Sequence, residues 1–161
     1  MSGKVIFLDI DGVLNDATTD QYTPAGFMGI DAYKVKLLRQ IVEATGASIV
    51  LTSTWKTEWS LHKDFLARDG AYLNQMLADE NLHISAKTTD QILDRGAGIT
   101  RWLNLHPNVV SWIVIDDDVF LDFEEHGIMP HLVKTSFYSG LTQDHVAQCI
   151  HMLNGGADDA D

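Results

Sequence analysis

The most informative segment of the chain is Val5-Ile6-Phe7-Leu8-Asp9-Ile10-Asp11-Gly12-Val13-Leu14-Asn15. A run of apolar residues that favour β structure ends in two carboxylates, Asp9 and Asp11, and a glycine follows directly. Burying a carboxylate costs free energy unless the group is paired or binds a cation. Two acids at the end of a buried strand therefore predict a divalent cation at that point.

Two later apolar segments also end in polar side chains. Residues 47–51 are followed by Thr52. Residues 109–115 are followed by Asp116 and Asp117. If the three strands are parallel, their carboxyl ends lie at one edge of the sheet, with neighbouring strands about 4.8 Å apart. A set of oxygen ligands at that edge favours Mg²⁺ over zinc.

Strand and helix patterns alternate along the chain. The predicted strands are 4–10, 47–51, 82–86, 109–115 and 132–135, and the predicted helices are 32–45, 57–80, 96–105 and 143–153. The second helix is expected to break near Gly70, and residues 12–29 are predicted to form an irregular loop. The alternation predicts an α/β fold, a doubly wound, Rossmann-like, mostly parallel sheet with helices on both faces.

Length and composition limit the class of protein. The chain has 161 residues, of which 45% are hydrophobic, so we expect one domain over 1–154 and a frayed acidic end at 155–161. The net charge of −12 favours metal ions and disfavours long polyanions unless a basic patch intervenes. A single cysteine, the lack of a signal-peptide pattern and the absence of a long apolar run predict a cytoplasmic protein without a membrane partner.

The three strand ends, taken in order, resemble the haloacid dehalogenase (HAD) superfamily of phosphotransferases. The resemblance rests on Asp9-Ile10-Asp11-Gly12-Val13, on the strand that ends in Thr52, and on Ile115-Asp116-Asp117. More narrowly, the chain is similar to a HAD group associated with RNA-repair proteins. The residues that carry this narrower similarity are Thr52-Ser53-Thr54-Trp55, Arg95-Gly96, Ile99, Trp102-Leu103 and Gly140-Leu141-Thr142.

The resemblance implies a role for each acid. Asp9 would be the nucleophile that forms an aspartyl-phosphate. Asp11 would protonate the leaving oxygen and then activate water. Mg²⁺ would be held by Asp9, by the backbone carbonyl of Asp11 and by Asp116, with Asp117 in support.

The resemblance also implies groups that bind the phosphate. Thr52 and the backbone N–H of Ser53 would donate to a phosphoryl oxygen. The family uses one cation, usually lysine, to balance the acids, and here Lys87 and Arg95 are both candidates. Arg95 is favoured because it begins the helix that leads into the Asp116 strand, which is where the family places its cation.

The implied function is that of a capless, Mg²⁺-dependent phosphatase. Residues 12–51 must supply a loop, a helix and a strand, so they leave no room for an inserted cap domain. Capless relatives commonly act on bulky substrates or use a partner as a lid. The substrate would be a nucleotide, a nucleic-acid end or another phosphomonoester, and the oligomeric state is left open.

Two other interpretations stay open at this point. A receiver-like phosphoacceptor domain also uses acids, a threonine and a lysine around Mg²⁺, but its acid pair and its phosphoacceptor follow a different order. A weakly active HAD domain that mainly binds a partner is a second alternative, and the intact Asp9, Asp11 and Asp116 argue against it. A nucleotide-binding module is disfavoured because the chain has no GxxxxGK[ST] motif.

Overall fold

The centre of the molecule is a parallel β-sheet. A computed structural model describes residues 1–90 and 94–155, and five parallel strands form one sheet within them. The strands are β1 (Lys4–Leu8), β2 (Ser48–Leu51), β3 (Ile84–Lys87), β4 (Ser111–Asp116) and β5 (Leu132–Lys134). The helices are α1 (Ala32–Thr45), α2 (Arg68–Ala78), α3 (Arg95–Asn104) and α4 (Gln143–Leu153). The predicted α/β fold is therefore confirmed.

Strand β1 occupies the middle of the sheet, whose order is β3-β2-β1-β4-β5. The chain builds outward from β1 through β2 and β3, and then crosses to the other side for β4 and β5. This reversal is a topological switch point, where open α/β sheets bind their ligands. The strand ends are level: the backbone N–H of Asp9 donates to Ile115 O (3.0 Å), and that of Thr52 donates to Leu8 O (2.9 Å).

The two faces of β1 enter separate apolar clusters, as the alternation of side chains along a strand requires. Ile6 and Leu8 pack into the larger cluster, to which α1, α2 and α4 contribute apolar side chains. Val5 and Phe7 pack into the smaller cluster, which includes Trp102 of α3. Both faces of the sheet are covered, so the central strand is apolar and buried from Val5 to Leu8.

Helix α1 matches its predicted bounds because both of its ends are specified locally. The Asp31 side chain accepts a hydrogen bond from Tyr33 N (2.9 Å) at the start of the helix. Gly46 follows the last turn with a φ of 71°, and its N–H donates to Val42 O. A left-handed residue at this position costs little only when it is glycine.

The predicted helix over 57–80 is wrong in its first half. Short 3₁₀ turns occupy Thr54–Thr57 and Lys63–Phe65, and α2 begins only at Arg68. Gly70 does not break this helix but lies in its first turn, where a Cβ atom would collide with the carbonyl oxygen of Glu58. The same carbonyl accepts a hydrogen bond from Ala67 N (3.0 Å), which closes the loop before α2.

Other boundaries differ from the prediction by a few residues. Strand β1 ends at Leu8, so Asp9 lies just beyond the sheet. The predicted frayed end lies outside the described residues except for Gly155, and the domain boundary at 154 stays a prediction. In the described part of the chain, every helix is too short or too polar to cross a membrane.

Candidate active site

Three carboxylates meet at the carboxyl edge of the sheet. Asp9, Asp116 and Asp117 each offer one oxygen, and these oxygens lie within 4.8 Å of one another. Asp116 is fully buried and Asp9 is 6% exposed. Asp116 Oδ1 accepts a hydrogen bond from Asp118 N (3.0 Å), which helps to fix the side chain. The predicted meeting of the first and fourth strand ends is thus present in the structure.

These acids destabilise one another in their charged forms. Burial raises the pKa of Asp9 well above its usual value, Asp116 raises it further, and Arg95 opposes both. Burial and Asp116 also raise the pKa of Asp117. A bound cation would relieve this repulsion, and a set of carboxylate oxygens suits a hard metal ion. The residues present therefore fit a metal centre.

Gly12 allows Asp117 to approach the loop that follows β1. Its φ is 79°, and a Cβ atom at this position would collide with the Asp117 carboxylate. Its carbonyl oxygen accepts a hydrogen bond from Thr135 Oγ1 (2.6 Å), just after β5. The backbone of this loop is therefore held between the ends of β1, β4 and β5.

The Asp11 side chain stands apart from the carboxylate cluster and is held by two donors. Trp55 Nε1 donates to Asp11 Oδ2 (3.2 Å), and Asn15 Nδ2 donates to Asp11 Oδ1 (2.9 Å). Asn15 is itself fixed, because it accepts from Gly12 N (2.8 Å) and donates to Gly29 O (2.9 Å). Two donors therefore hold the carboxylate of an exposed residue in place.

The Thr52 hydroxyl lies at the end of β2 without a partner. Thr52 is fully buried, and its Oγ1 makes no hydrogen bond within the described residues. Ser53 follows, and its side chain accepts from Trp55 N (3.2 Å), which begins the 3₁₀ turn. A buried hydroxyl left unpaired costs free energy, so it is a candidate donor to a ligand.

Arg95 is the cation that the structure places against the acids. Its Nη1 lies 2.7 Å from Asp116 Oδ2 and 3.5 Å from Asp9 Oδ1. Its guanidinium stacks over the Phe120 ring, 4.1 Å from the centroid. Burial lowers the pKa of Arg95, but Asp9 and Asp116 outweigh this and raise it. Nε has no partner among the residues that the structure describes.

Lys87, the other predicted cation, has a different position. Its Nζ donates to the carbonyl oxygens of Lys56 (2.8 Å) and Trp59 (2.7 Å). Lys56 in turn pairs with Asp90 at 2.5 Å. Lys87 therefore fastens the turn after β2 to the edge of the sheet, whereas Arg95 contacts the carboxylate cluster.

A cavity of about 560 Å³ opens beside Asp11. Phe27 and Met28 line it from the loop after β1, Trp55 lines it from the 3₁₀ turn, and Phe137 lines it from the segment after β5. Sequence reasoning missed Phe137, because only the tertiary fold brings it to the site. It also gave no role to Asn15, although an amide four residues after Asp11 was a local signal.

Comparisons with known proteins agree with this architecture. A family model described as "HAD domain in Swiss Army Knife RNA repair proteins" matches residues 5–146. No curated protein matches the chain. Among solved structures, a hypothetical protein from Xanthomonas campestris is similar, with a TM-score of 0.51 and 16% identity over 98% of this chain and 85% of that one. At this level of identity the likeness concerns the fold alone.

Proposed function

This chain belongs to the family of HAD domains in Swiss Army Knife RNA repair proteins, and on that premise we propose that it is a Mg²⁺-dependent phosphomonoesterase that works through an aspartyl-phosphate. One observation carries the proposal. Thr52 Oγ1 and Arg95 Nε are the two buried side-chain polar atoms that lack a partner within the described residues. Both are hydrogen-bond donors. Both belong to residues at the edge of the sheet where the carboxylates meet, and two oxygens of a phosphoryl group would satisfy them.

The metal would be held by residues already close together. The carboxylates of Asp9, Asp116 and Asp117 supply three oxygens, and the backbone carbonyl of Asp11 is the fourth ligand in this proposal. When bound, Mg²⁺ would offset the negative charge of the carboxylates and of the phosphate. The raised pKa of Asp9 supports this assignment, because a buried nucleophilic carboxylate needs such an offset to stay ionised.

Asp9 and Asp11 have different roles in the proposed reaction. A carboxylate oxygen of Asp9 attacks phosphorus, and the bond from phosphorus to the leaving oxygen breaks. Asp11 donates a proton to that oxygen, so the alcohol leaves neutral. Asp11 then takes a proton from a water molecule, whose oxygen attacks the phosphorus of the aspartyl-phosphate. Inorganic phosphate leaves, Asp9 is again a carboxylate, and Asp11 again carries the proton with which it started.

The hydrogen bonds around Asp11 support a role for Asp11 that is separate from that of Asp9. Trp55 and Asn15 hold its two oxygens from fixed positions, and neither oxygen belongs to the carboxylate cluster. The carboxylate therefore faces the cavity, where the leaving group would lie. Thr52 and Arg95 would hold the phosphoryl oxygens while the bond to Asp9 forms and breaks.

The substrate is proposed as a nucleotide or a nucleic-acid end. The family description names RNA repair, and the absence of an inserted domain before Thr52 leaves the edge of the sheet open to a large substrate. We place the protein in the cytoplasm. A single cysteine without a disulfide is compatible with a reducing compartment. Cys149 is free and buried, and burial raises the pKa of its thiol to about 12.

Hydrolysis of p-nitrophenyl phosphate tests the proposal. Wild-type protein should release p-nitrophenol with Mg²⁺, and EDTA should stop the release. Asp9→Asn should be inactive while its circular dichroism spectrum stays that of the wild type. Near-normal turnover by Asp9→Asn would exclude the covalent route, and a stable phosphoprotein without turnover would favour the receiver-like alternative.

A further inference from the structure

The cavity beside Asp11 has aromatic walls. Phe27 is 69% exposed and Phe137 is 41% exposed, although both are large apolar residues. Trp55 closes the inner wall and carries the indole N–H that contacts Asp11. Exposed aromatic side chains that line a cavity offer faces on which a flat ring can stack. The volume of about 560 Å³ is that of a site for a small molecule.

The charge of the cavity is negative. Besides Asp11, its lining includes the carboxylates of Glu58 and Asp69, and among the described residues it includes no lysine or arginine. Asp69 is 6% exposed, and its Oδ1 accepts a hydrogen bond from Ala25 N (3.0 Å). Within the described part of the chain, neither Glu58 nor Asp69 forms an ion pair. Such a site accepts hydrogen bonds and repels a second phosphate.

We propose that this cavity binds the leaving group as a nucleoside through its base and favours a base with an exocyclic amino group. The inference rests on the proposed function, because Asp11 marks where the leaving oxygen lies. The rings of Phe27 and Phe137 supply stacking, which does not depend on base identity. The carboxylates of Glu58 and Asp69 would accept hydrogen bonds from an exocyclic amino group, which cytidine has and uridine lacks.

The position of the cavity defines the form of the substrate. Asp11 lies in its lining, so the reacting phosphate sits at the edge of the sheet and the base points away from the carboxylate cluster. A nucleoside with a single phosphate satisfies both ends. A second phosphate on the same nucleoside would lie near Glu58 or Asp69 without a cation to balance it. The cavity therefore selects a nucleoside monophosphate.

The first test compares rates with nucleoside monophosphates, a sugar phosphate and acetyl phosphate. Cytidine 5′- and 3′-monophosphates should give a higher kcat/KM than uridine monophosphates or ribose 5-phosphate. Acetyl phosphate, which is too small to reach the aromatic walls, reports the phosphatase chemistry itself. In Phe137→Ala, the ratio of kcat/KM for cytidine monophosphate to that for acetyl phosphate should fall about tenfold, because one stacking contact is lost.

Two further variants sharpen this test. Phe65→Ala is the matched control, since Phe65 is 75% exposed and does not line the cavity, and it should leave the ratio unchanged. Glu58→Gln should reduce the preference for cytidine over uridine monophosphate. Equal rates for cytidine, uridine and ribose phosphates, or an unchanged ratio in Phe137→Ala, would overturn the inference.

Calorimetry separates failure of the inference from failure of the proposed function. Cytidine alone, without metal or phosphate, should bind to the wild-type protein, and it should bind more weakly to Phe137→Ala. Ribose should not bind. If acetyl phosphate is not hydrolysed but cytidine binds in this pattern, the phosphatase proposal fails and the base site stands. If acetyl phosphate is hydrolysed and cytidine does not bind, the base-binding inference is refuted and the phosphatase proposal stands.

Discussion

Replacing Arg95 by alanine should strongly destabilise the protein in the absence of metal. Arg95 Nη1 lies 2.7 Å from Asp116 Oδ2, and the two side chains are 6% and 0% exposed. Removing one partner of a buried ion pair typically costs about 3–5 kcal/mol, because the other charge is left uncompensated. The lost stacking on Phe120 would add about 1 kcal/mol. This loss is a large fraction of the ~5–15 kcal/mol by which a typical domain is stable.

The pH dependence of this loss has a definite sign. Without Arg95, the pKa of Asp9 should rise further, so the folded variant binds a proton that the unfolded chain does not. Stability then decreases as the pH rises through that pKa. The difference between wild type and Arg95→Ala should therefore be larger at pH 8 than at pH 5.

Equilibrium unfolding in urea, with EDTA or with Mg²⁺, measures this effect. Mg²⁺ should recover part of the loss in Arg95→Ala, because it would bind the same carboxylates that Arg95 balances. Arg95→Lys keeps a positive charge and should lose less stability than the alanine variant. A loss below about 1 kcal/mol in EDTA would show that the three acids do not need a cation, which refutes the electrostatic reasoning.

The remaining predictions concern three other residues. Lys87→Met should reduce stability, because two hydrogen bonds from the Lys87 amine are lost. It should change kcat/KM for p-nitrophenyl phosphate less than threefold. A larger fall in kcat/KM would give Lys87 the role assigned to Arg95. Trp55→Phe keeps the cavity wall and removes the donor to Asp11, so kcat/KM, which reports phosphoryl transfer to Asp9, should fall about tenfold for an alkyl phosphate and much less for p-nitrophenyl phosphate, whose leaving group needs no proton. An equal fall for both substrates would contradict a role through Asp11. His145 accepts from Thr142 N (3.1 Å) in the capping box of α4, and burial lowers its pKa. Stability should therefore decrease as the pH falls below about 6.5, where the unfolded chain takes up the proton first, and His145→Gln should remove this part of the pH dependence in urea unfolding while keeping the cap.

The fold was predictable wherever local signals agreed with the tertiary structure. The ends of α1 follow from Asp31 and Gly46, and β1 follows from the apolar run that stops at Asp9. The failure between residues 57 and 67 has a physical cause. The backbone of this segment is determined by the hydrogen bond from Ala67 N to Glu58 O and by the close approach of Gly70 to the same carbonyl, and both are contacts between separate parts of the chain.

The candidate site shows the same division. Strands β1 and β4 are parallel and paired, so Asp9 and Asp116 lie close together, as their places at the strand ends predicted. The sequence favours Arg95 over Lys87 because Arg95 begins the helix before the Asp116 strand, and the structure separates the two residues by their partners: Arg95 contacts Asp116, whereas Lys87 donates to backbone carbonyls. The link from Trp55 to Asp11 could not be predicted, since an indole N–H at the start of a 3₁₀ turn has no sequence signature.

The proposed mechanism depends on transfer of the phosphoryl group to Asp9, and a trapping experiment detects that transfer. Asp11→Asn protein, mixed with Mg²⁺ and a ³²P-labelled phosphomonoester and quenched in acid, should retain label on Asp9, because the variant lacks the group that activates water. Asp9→Asn should retain none. Substrate turnover without any labelled protein, or label that persists in Asp9→Asn, would show that Asp9 is not the nucleophile.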